Sequence, residues 1–173
     1  LHDGNHECAH LPGIREHAVA RLAALSAVSY RAAVTGANDR TWRRLRLLDQ
    51  HGDVGSPRIA GSTTYDDVAC TYTLTAGGVN MWGARDEFQF AWRKMNGDFT
   101  IRTHVKFAGK GVDPHRKIGV IIRKGLEADS PYVDATVHGD GLTSLQHRQV
   151  AGGPTATITA AITHADVIEL ERE

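Results

Sequence analysis

Short runs rich in Thr, Val, Ile and aromatic residues recur through most of this chain and restrict it to a sheet-based fold. They lie at residues 58–65, 69–76, 87–95, 98–108, 117–124, 132–138, 142–149, 155–163 and 166–172. Several place apolar side chains at every second position, as a half-buried strand requires. About nine strands at intervals of roughly 8–12 residues, with no helical pattern between them, predict an antiparallel sandwich or barrel.

Two glycine-containing turns punctuate these runs. Asn96-Gly97-Asp98 tolerates positive φ and predicts a hairpin between the strands at 87–95 and 98–108. Residues 139–141, Gly-Asp-Gly, predict a second turn that joins 132–138 to 142–149. Within the run at 87–95, alternation favours Trp92 as a core residue.

Residues 1–50 differ in composition from the rest, with no lysine and seven arginines. The spacing of apolar residues predicts a helix over 13–34 and a shorter one over 40–48. We therefore expect a helical extension over 1–50 and a β-sandwich over 51–173. The arginine run at 40–46 could contact nucleic acid or anionic lipid, but a solvated helical face is the favoured interpretation.

Charge and cysteine content limit the partners. The formal net charge is zero, and motifs for binding RNA or DNA are missing, so nucleic acid is not an expected partner. The sequence contains no unbroken apolar span of about 18–20 residues, which is the length that a membrane helix requires. A membrane is therefore not an expected partner. Cys8 and Cys70 can form at most one disulfide, too few for a disulfide framework.

Four stretches resemble a known family. They are GSPRIAGSTTYD, NMWGARDEFQFAWRKMNGDFTI, KGVDPHRKIGVIIRKGLEADSPYVDATVHGDGLTSLQHR and IELERE. They are similar to the concanavalin-A-like jelly-roll domain of bacterial secreted proteins, which is appended to TolB-type propellers or polysaccharide-degrading enzymes and is related to the regulation-of-enolase domain. The resemblance covers residues 52–173. It implies a lectin-like, two-sheet sandwich located outside the cytoplasm, extracellular or periplasmic, that binds carbohydrate.

The family has further strands after the segment that matches residues 167–173. Their absence here predicts an open sandwich with an unpaired edge and exposed apolar surface. Three explanations stay open: residues 1–50 cover the gap, the protein forms a homo-oligomer through the open edge, or the sequence is truncated.

Two clusters have the residue types of a glycan site. Sugars pack their C–H faces on aromatic rings, while their hydroxyl groups need fixed hydrogen bonds. The first cluster comprises Asn80, Trp82, Arg85, Asp86, Glu87, His115 and Arg123. The second comprises Tyr132, Asp134 and His138, which share one strand face, with Gln146 and Arg148 on the neighbouring strand. The alternatives are that Trp82 is a core residue and that the second cluster is an ordinary solvated face.

A glycoside hydrolase is the alternative function. It needs two carboxyl groups flanking the scissile bond. Asp86 with Glu87, and Glu127 with Asp129, are candidates, but only Glu169 and Glu171 stand two residues apart on a predicted strand, which puts both on one face. The Glu-x-Asp-x-x-Glu type of signature found in jelly-roll glucanases is absent.

Metal binding has weak sequence support, and no cofactor is expected. His2, His6, Cys8 and His10 are ligand types for zinc or copper, but their spacing matches no closed site. Calcium could bind around Asp140, although no Asp-x-Asp-x-Asp loop is present.

The two clusters and the family resemblance together predict a non-catalytic carbohydrate-binding module for polysaccharides or oligosaccharides. A glycoside hydrolase and a structural or protein-interaction β-sandwich are the alternatives.

Overall fold

The computed structural model describes residues 48–173, and this region is built from strands. The strands are β1 (Gln50–Val54), β2 (Ser62–Asp66), β3 (Thr71–Thr75), β4 (Met81–Trp82), β5 (Arg85–Asp86), β6 (Phe88–Trp92), β7 (Phe99–His104), β8 (Lys117–Arg123), β9 (Tyr132–His138), β10 (Thr143–Arg148), β11 (Ala156–Thr159) and β12 (Val167–Arg172). No helix occurs between residues 48 and 173. The helix predicted over 13–34 and nearly all of the one over 40–48 fall outside the described residues.

A four-stranded antiparallel sheet in the order β11-β10-β9-β8 forms the centre of the fold. The predicted turn at residues 139–141 joins β9 to β10. Gly141 adopts a φ of 93° there, and its amide donates to His138 O at 2.9 Å. This turn fixes the register that places Asp134 opposite Gln146 and Tyr132 opposite Arg148.

The core lies between this sheet and the β7–β12 pair. Val133, Leu145 and Leu170 are buried together, with Ile101 and Val120 packed against them. The two layers resemble a β-sandwich, so the predicted mainly β class is confirmed. Among the described residues, none forms a helix with the length and apolar character needed to cross a bilayer.

The predicted hairpin at residues 95–98 is wrong, although the turn exists. Gly97 has a φ of 75°, but the strands on either side pair elsewhere. β6 pairs with β1, whereas β7 pairs with β12. The chain therefore changes sheets at this turn, because each of the two strands pairs with a strand distant in the sequence.

The face assignment of β6 also differs from the sequence expectation. Gln89 and Ala91 are buried, whereas Phe88, Phe90 and Trp92 are only half-buried. The three aromatic rings form a continuous row, with centroids 5.5 and 5.3 Å apart. Trp92 thus packs in this row and donates from Nε1 to Gln50 Oε1 at 3.0 Å, instead of entering the core.

Candidate functional site

The face of the four-stranded sheet opposite the core is lined with polar side chains, which we call the polar face. It comprises Lys117 and Arg123 on β8, Tyr132, Asp134, Thr136 and His138 on β9, and Ser144, Gln146 and Arg148 on β10. The predicted grouping of the β9 row with Gln146 and Arg148 is confirmed. The alternative of an ordinary solvated face is wrong, because the residues on β9 and β10 are all buried.

A short hairpin formed by β4 and β5 lies over the polar face and is held by Asp86. This carboxylate is fully buried and accepts hydrogen bonds from Arg123 Nη1 at 2.6 Å and from Arg148 Nη2 at 2.7 Å. Arg148 also donates from Nε to Gly83 O at 3.1 Å, at the turn of the hairpin. The two arginines thereby fasten the hairpin to the sheet.

Both guanidinium groups are occupied by protein acceptors. Arg148 Nη1 donates to Ser130 O, and Arg123 donates to the carbonyl groups of Gly125 and Glu127. The Tyr132 ring lies between the arginines, 5.8 Å from Arg123 Cζ and 5.0 Å from Arg148 Cζ. The sequence predicts that Arg123 and Arg148 contact a ligand. Such contact would require their guanidinium groups to break these hydrogen bonds to the protein. In the structure they position the hairpin.

The outward face of the hairpin presents an aromatic and a cationic side chain together. Trp82 and Arg85 are directly opposite each other in the β4–β5 register, and cross-strand partners project from the same face. Trp82 is 44% exposed, and Arg85 is also exposed. The alternative that Trp82 is a core residue is wrong. Glu87 is half-buried at the base of this hairpin, where its amide donates to Asn80 O at 2.7 Å.

Lys117 links the hairpin to the buried row. Its ammonium group lies 5.4 Å from the centroid of Trp82 and donates to Asn80 Oδ1 and Met81 O, both at 2.9 Å. It also donates to Gln146 Oε1 at 3.1 Å. Burial lowers the pKa of Lys117, while the charges of Asp134 and Asp86 oppose this shift.

Asp134 occupies the middle of the polar face and is fully buried. Its Oδ1 accepts from the backbone amide of Gln146 at 3.2 Å, while its Oδ2 has no hydrogen-bond partner. Burial raises the pKa of Asp134 to about 8, although the charge of Lys117 opposes the shift. The folded protein therefore holds a proton on this carboxyl group at pH values where a free aspartate is ionised.

At the end of β9, the structure brings three possible metal ligands together: His115, His138 and Asp140, with ligand atoms within 4.8 Å of one another. His115 Nδ1 lies 3.7 Å from Asp140 Oδ2, and the two imidazole rings meet edge to face at 6.0 Å. A hydrogen bond from the backbone of Leu142 is the main factor that lowers the pKa of Asp140, and burial lowers the pKa of His138.

The alternative catalytic pair lies away from this face. Ile168 and Leu170 on β12 are buried toward the core, so Glu169 and Glu171 project from the opposite side of the strand. Glu169 Oε2 lies 3.5 Å from Arg102 Nη1. The two glutamates share a face, as the sequence predicts, but that face is separated from the polar face by the core layer.

Sequence reasoning missed Lys117 as a site residue. It stands two residues before Gly119 at the start of a nearly continuous apolar run, and its position opposite His138 is the signal that could have revealed it. The candidate metal ligands His2, His6, Cys8 and His10 lie outside the described residues.

Comparison of the chain with family models, curated proteins and solved structures gives no match.

Proposed function

We propose that this chain is a non-catalytic carbohydrate-binding module with the β4–β5 hairpin as its binding platform. The observation that carries the proposal is the pairing of Trp82 with Arg85 on the outward face of that hairpin. An exposed indole offers a flat apolar surface for the C–H face of a sugar ring. A neighbouring guanidinium supplies several donors in a fixed geometry for hydroxyl or carboxyl groups.

Preorganisation supports the same proposal. A ligand platform loses affinity when its side chains must be ordered on binding. Here Asp86, on the inward side of the hairpin, is fixed by two arginines, and Gly83 O accepts from Arg148 and from Thr155 Oγ1. The hairpin is thus anchored from beneath, and Trp82 is presented on a fixed backbone.

Exposed polar side chains are present next to the hairpin and on strand β11. Asn80 is exposed and uses its Oδ1 to accept from Lys117 and from the amide of Met81, which leaves its NH2 group to serve a ligand. Thr157 and Thr159 are exposed on β11, opposite Gln146 and Ser144. Such short polar side chains suit the dense hydroxyl groups of an oligosaccharide or polysaccharide.

The jelly-roll topology and the location outside the cytoplasm belong to the same proposal. They rest on the resemblance of residues 52–173 to the concanavalin-A-like domain. The two layers on either side of Leu170 are consistent with such a sandwich.

Affinity electrophoresis on soluble polysaccharides, followed by a glycan array, tests the proposal. We expect retarded migration for the wild type and a loss of affinity of about tenfold or more for Trp82→Ala and for Arg85→Ala, since tenfold corresponds to ~1.4 kcal/mol. Val79→Ala is the control, because Val79 is an exposed apolar residue just before the hairpin. No binding across the panel, or unchanged binding by both variants, would refute the proposal. Release of reducing sugar that disappears in Glu169→Gln would favour the hydrolase instead.

The second candidate is a protein-interaction module that forms a homo-oligomer through a sheet edge. β11 is an edge strand of the four-stranded sheet, and all its residues are exposed. Ile158 lies opposite the core residue Leu145 in the register, yet is 48% exposed. Light scattering tests this candidate: it predicts a dimer that dissociates in Ile158→Lys, whereas a monomeric wild type would exclude it.

A further inference from the structure

We propose that His115, His138 and Asp140 form a binding site for a divalent transition-metal cation, with Zn²⁺ as the reference ion. This proposal goes beyond carbohydrate binding and does not depend on it. It is tested by measuring metal affinity, not glycan affinity.

The donor set defines the class of ion. Zinc and related transition metals accept imidazole nitrogen and carboxylate oxygen, and three protein ligands with one open position is a common zinc arrangement. Calcium instead takes six to eight oxygen ligands. Two imidazoles and one carboxylate therefore favour a transition metal over the calcium site that the sequence suggested around Asp140.

The distances between the ligand atoms fit a shared ion. Two ligands bound at about 2.0–2.2 Å in tetrahedral geometry lie roughly 3.3–3.6 Å apart. His115 Nδ1 and Asp140 Oδ2 are 3.7 Å apart, slightly too far for a good hydrogen bond but close to the spacing of two metal ligands. All three ligand atoms lie within 4.8 Å of one another, so the three side chains converge on one place.

His138 provides an independent observation. It is only 5% exposed, and neither of its ring nitrogens has a hydrogen-bond partner. Buried polar atoms without a partner are rare and need an explanation, such as a missing ion. A metal bound through one imidazole nitrogen would give that nitrogen a partner that the protein alone does not supply.

The backbone around the site is held in place. The amide of Asp140 donates to Pro114 O at 2.9 Å, which ties the loop before β8 to the β9–β10 turn. Asp140 Oδ1 accepts from the amide of Leu142, so Oδ2 is the atom directed at His115. Asp113 Oδ1 likewise accepts from the amide of His115 at 2.7 Å. Asp140 and His115 are thus positioned by hydrogen bonds to the backbone, and metal binding would leave these hydrogen bonds intact.

Charge and access also bear on the site. Lys117 lies opposite His138 and opposes a cation, but its ammonium group is directed at Asn80, Met81 and Gln146. The carboxylate of Asp140 offsets this charge. The His115 side chain is 66% exposed, so the ion can enter from solvent and retain a water ligand.

Calorimetric titration of the full chain with zinc tests the proposal. We expect one site in the wild type, with zinc affinity reduced by at least about tenfold in His115→Ala and in Asp140→Asn. Even substitution of residues that only hydrogen-bond a metal's ligands lowers metal affinity roughly 10–100-fold. Asp140→Asn keeps an oxygen that can accept from Leu142. His104→Ala, at another exposed histidine, is the matched control and should bind zinc as the wild type does.

The N-terminal histidines require a separate variant. The triple change His2→Ala, His6→Ala and His10→Ala should preserve zinc binding. Loss of binding in this variant would overturn the proposal, as would wild-type affinity in both His115→Ala and Asp140→Asn, or no zinc binding by the wild type. Cobalt substitution gives a second readout, because visible absorption bands lost in His115→Ala report ligation directly. If the protein does not bind glycans, the expected zinc affinities and cobalt absorption bands stay the same, because no glycan takes part in these measurements.

Discussion

Asp86 and Arg148 form a buried ion pair in which Oδ1 and Nη2 are 2.7 Å apart, although 62 residues separate them in the chain. Arg123 joins the same carboxylate from β8. This pair connects the exposed Trp82 hairpin to the polar face of the sheet, so it determines where the proposed glycan platform lies.

Removal of the shared carboxylate should be severely destabilising. Asp86→Ala leaves two buried guanidinium groups without their anion, and breaking a buried ion pair from one side costs about 3–5 kcal/mol. Urea unfolding measures the loss. Asp98→Ala, at an exposed aspartate, should change the free energy of unfolding by less than about 0.5 kcal/mol. Equal effects of the two substitutions would contradict a stabilising role for the buried network of Asp86, Arg123 and Arg148.

Asp134 should make stability depend on pH. Because burial raises its pKa from 3.8 to about 8, the folded state retains a proton that the unfolded state loses above about pH 4. Its contribution to stability is therefore present at low pH and declines between about pH 4 and pH 8, by at most ~1.4 kcal/mol per pH unit.

The neutral variant Asp134→Asn tests this dependence. Its stability relative to the wild type should increase from about pH 4 to pH 8 and then level off. Urea unfolding at several pH values provides the measurement, and Asp98→Asn controls for removal of a carboxylate as such. A constant difference between Asp134→Asn and the wild type would contradict a raised pKa.

Leu170 should be among the most sensitive core positions. It is almost fully buried and packs with Val133 and Leu145 between the two layers. Leu170→Ala should lower the free energy of unfolding by about 2–5 kcal/mol, since it leaves a cavity. Leu126→Ala makes the same change at an exposed site and should have little effect. Similar losses for both would mean that the layers do not pack through Leu170.

Two glycines with positive φ should respond differently to alanine. Gly141 has a φ of 93°, and a Cβ there would also collide with the His164 ring. Gly97 has a φ of 75°, with open space around the added Cβ. Gly97→Ala should cost about 1–2 kcal/mol from backbone strain alone. Gly141→Ala should cost more, because its φ lies further from the left-handed helical value of about +57° and the exposed His164 ring must also move aside. Thermal unfolding of the two variants measures the difference, and equal shifts would argue against crowding at the β9–β10 turn.

Much of the β9–β10 region could be predicted from sequence because its signals are local. Strand β9 was predicted with its observed limits, and the turn at Gly141 fixed the pairing of Asp134 with Gln146. The glycine-containing turn at Gly97 was an equally good signal, but it did not produce a hairpin. A turn determines the direction of the chain, whereas the choice of partner strand depends on distant segments.

The sequence by itself determined the mainly β class, the strand faces of the polar row and the types of side chain in both clusters. These follow from the two-residue period of a strand and from turn chemistry, which neighbouring residues specify. Only the tertiary structure decided that the polar face is buried, that Asp86 binds Arg123 and Arg148, and that His115, His138 and Asp140 meet. Burial and long-range pairing depend on which segments pack together, and that information is spread over the whole chain.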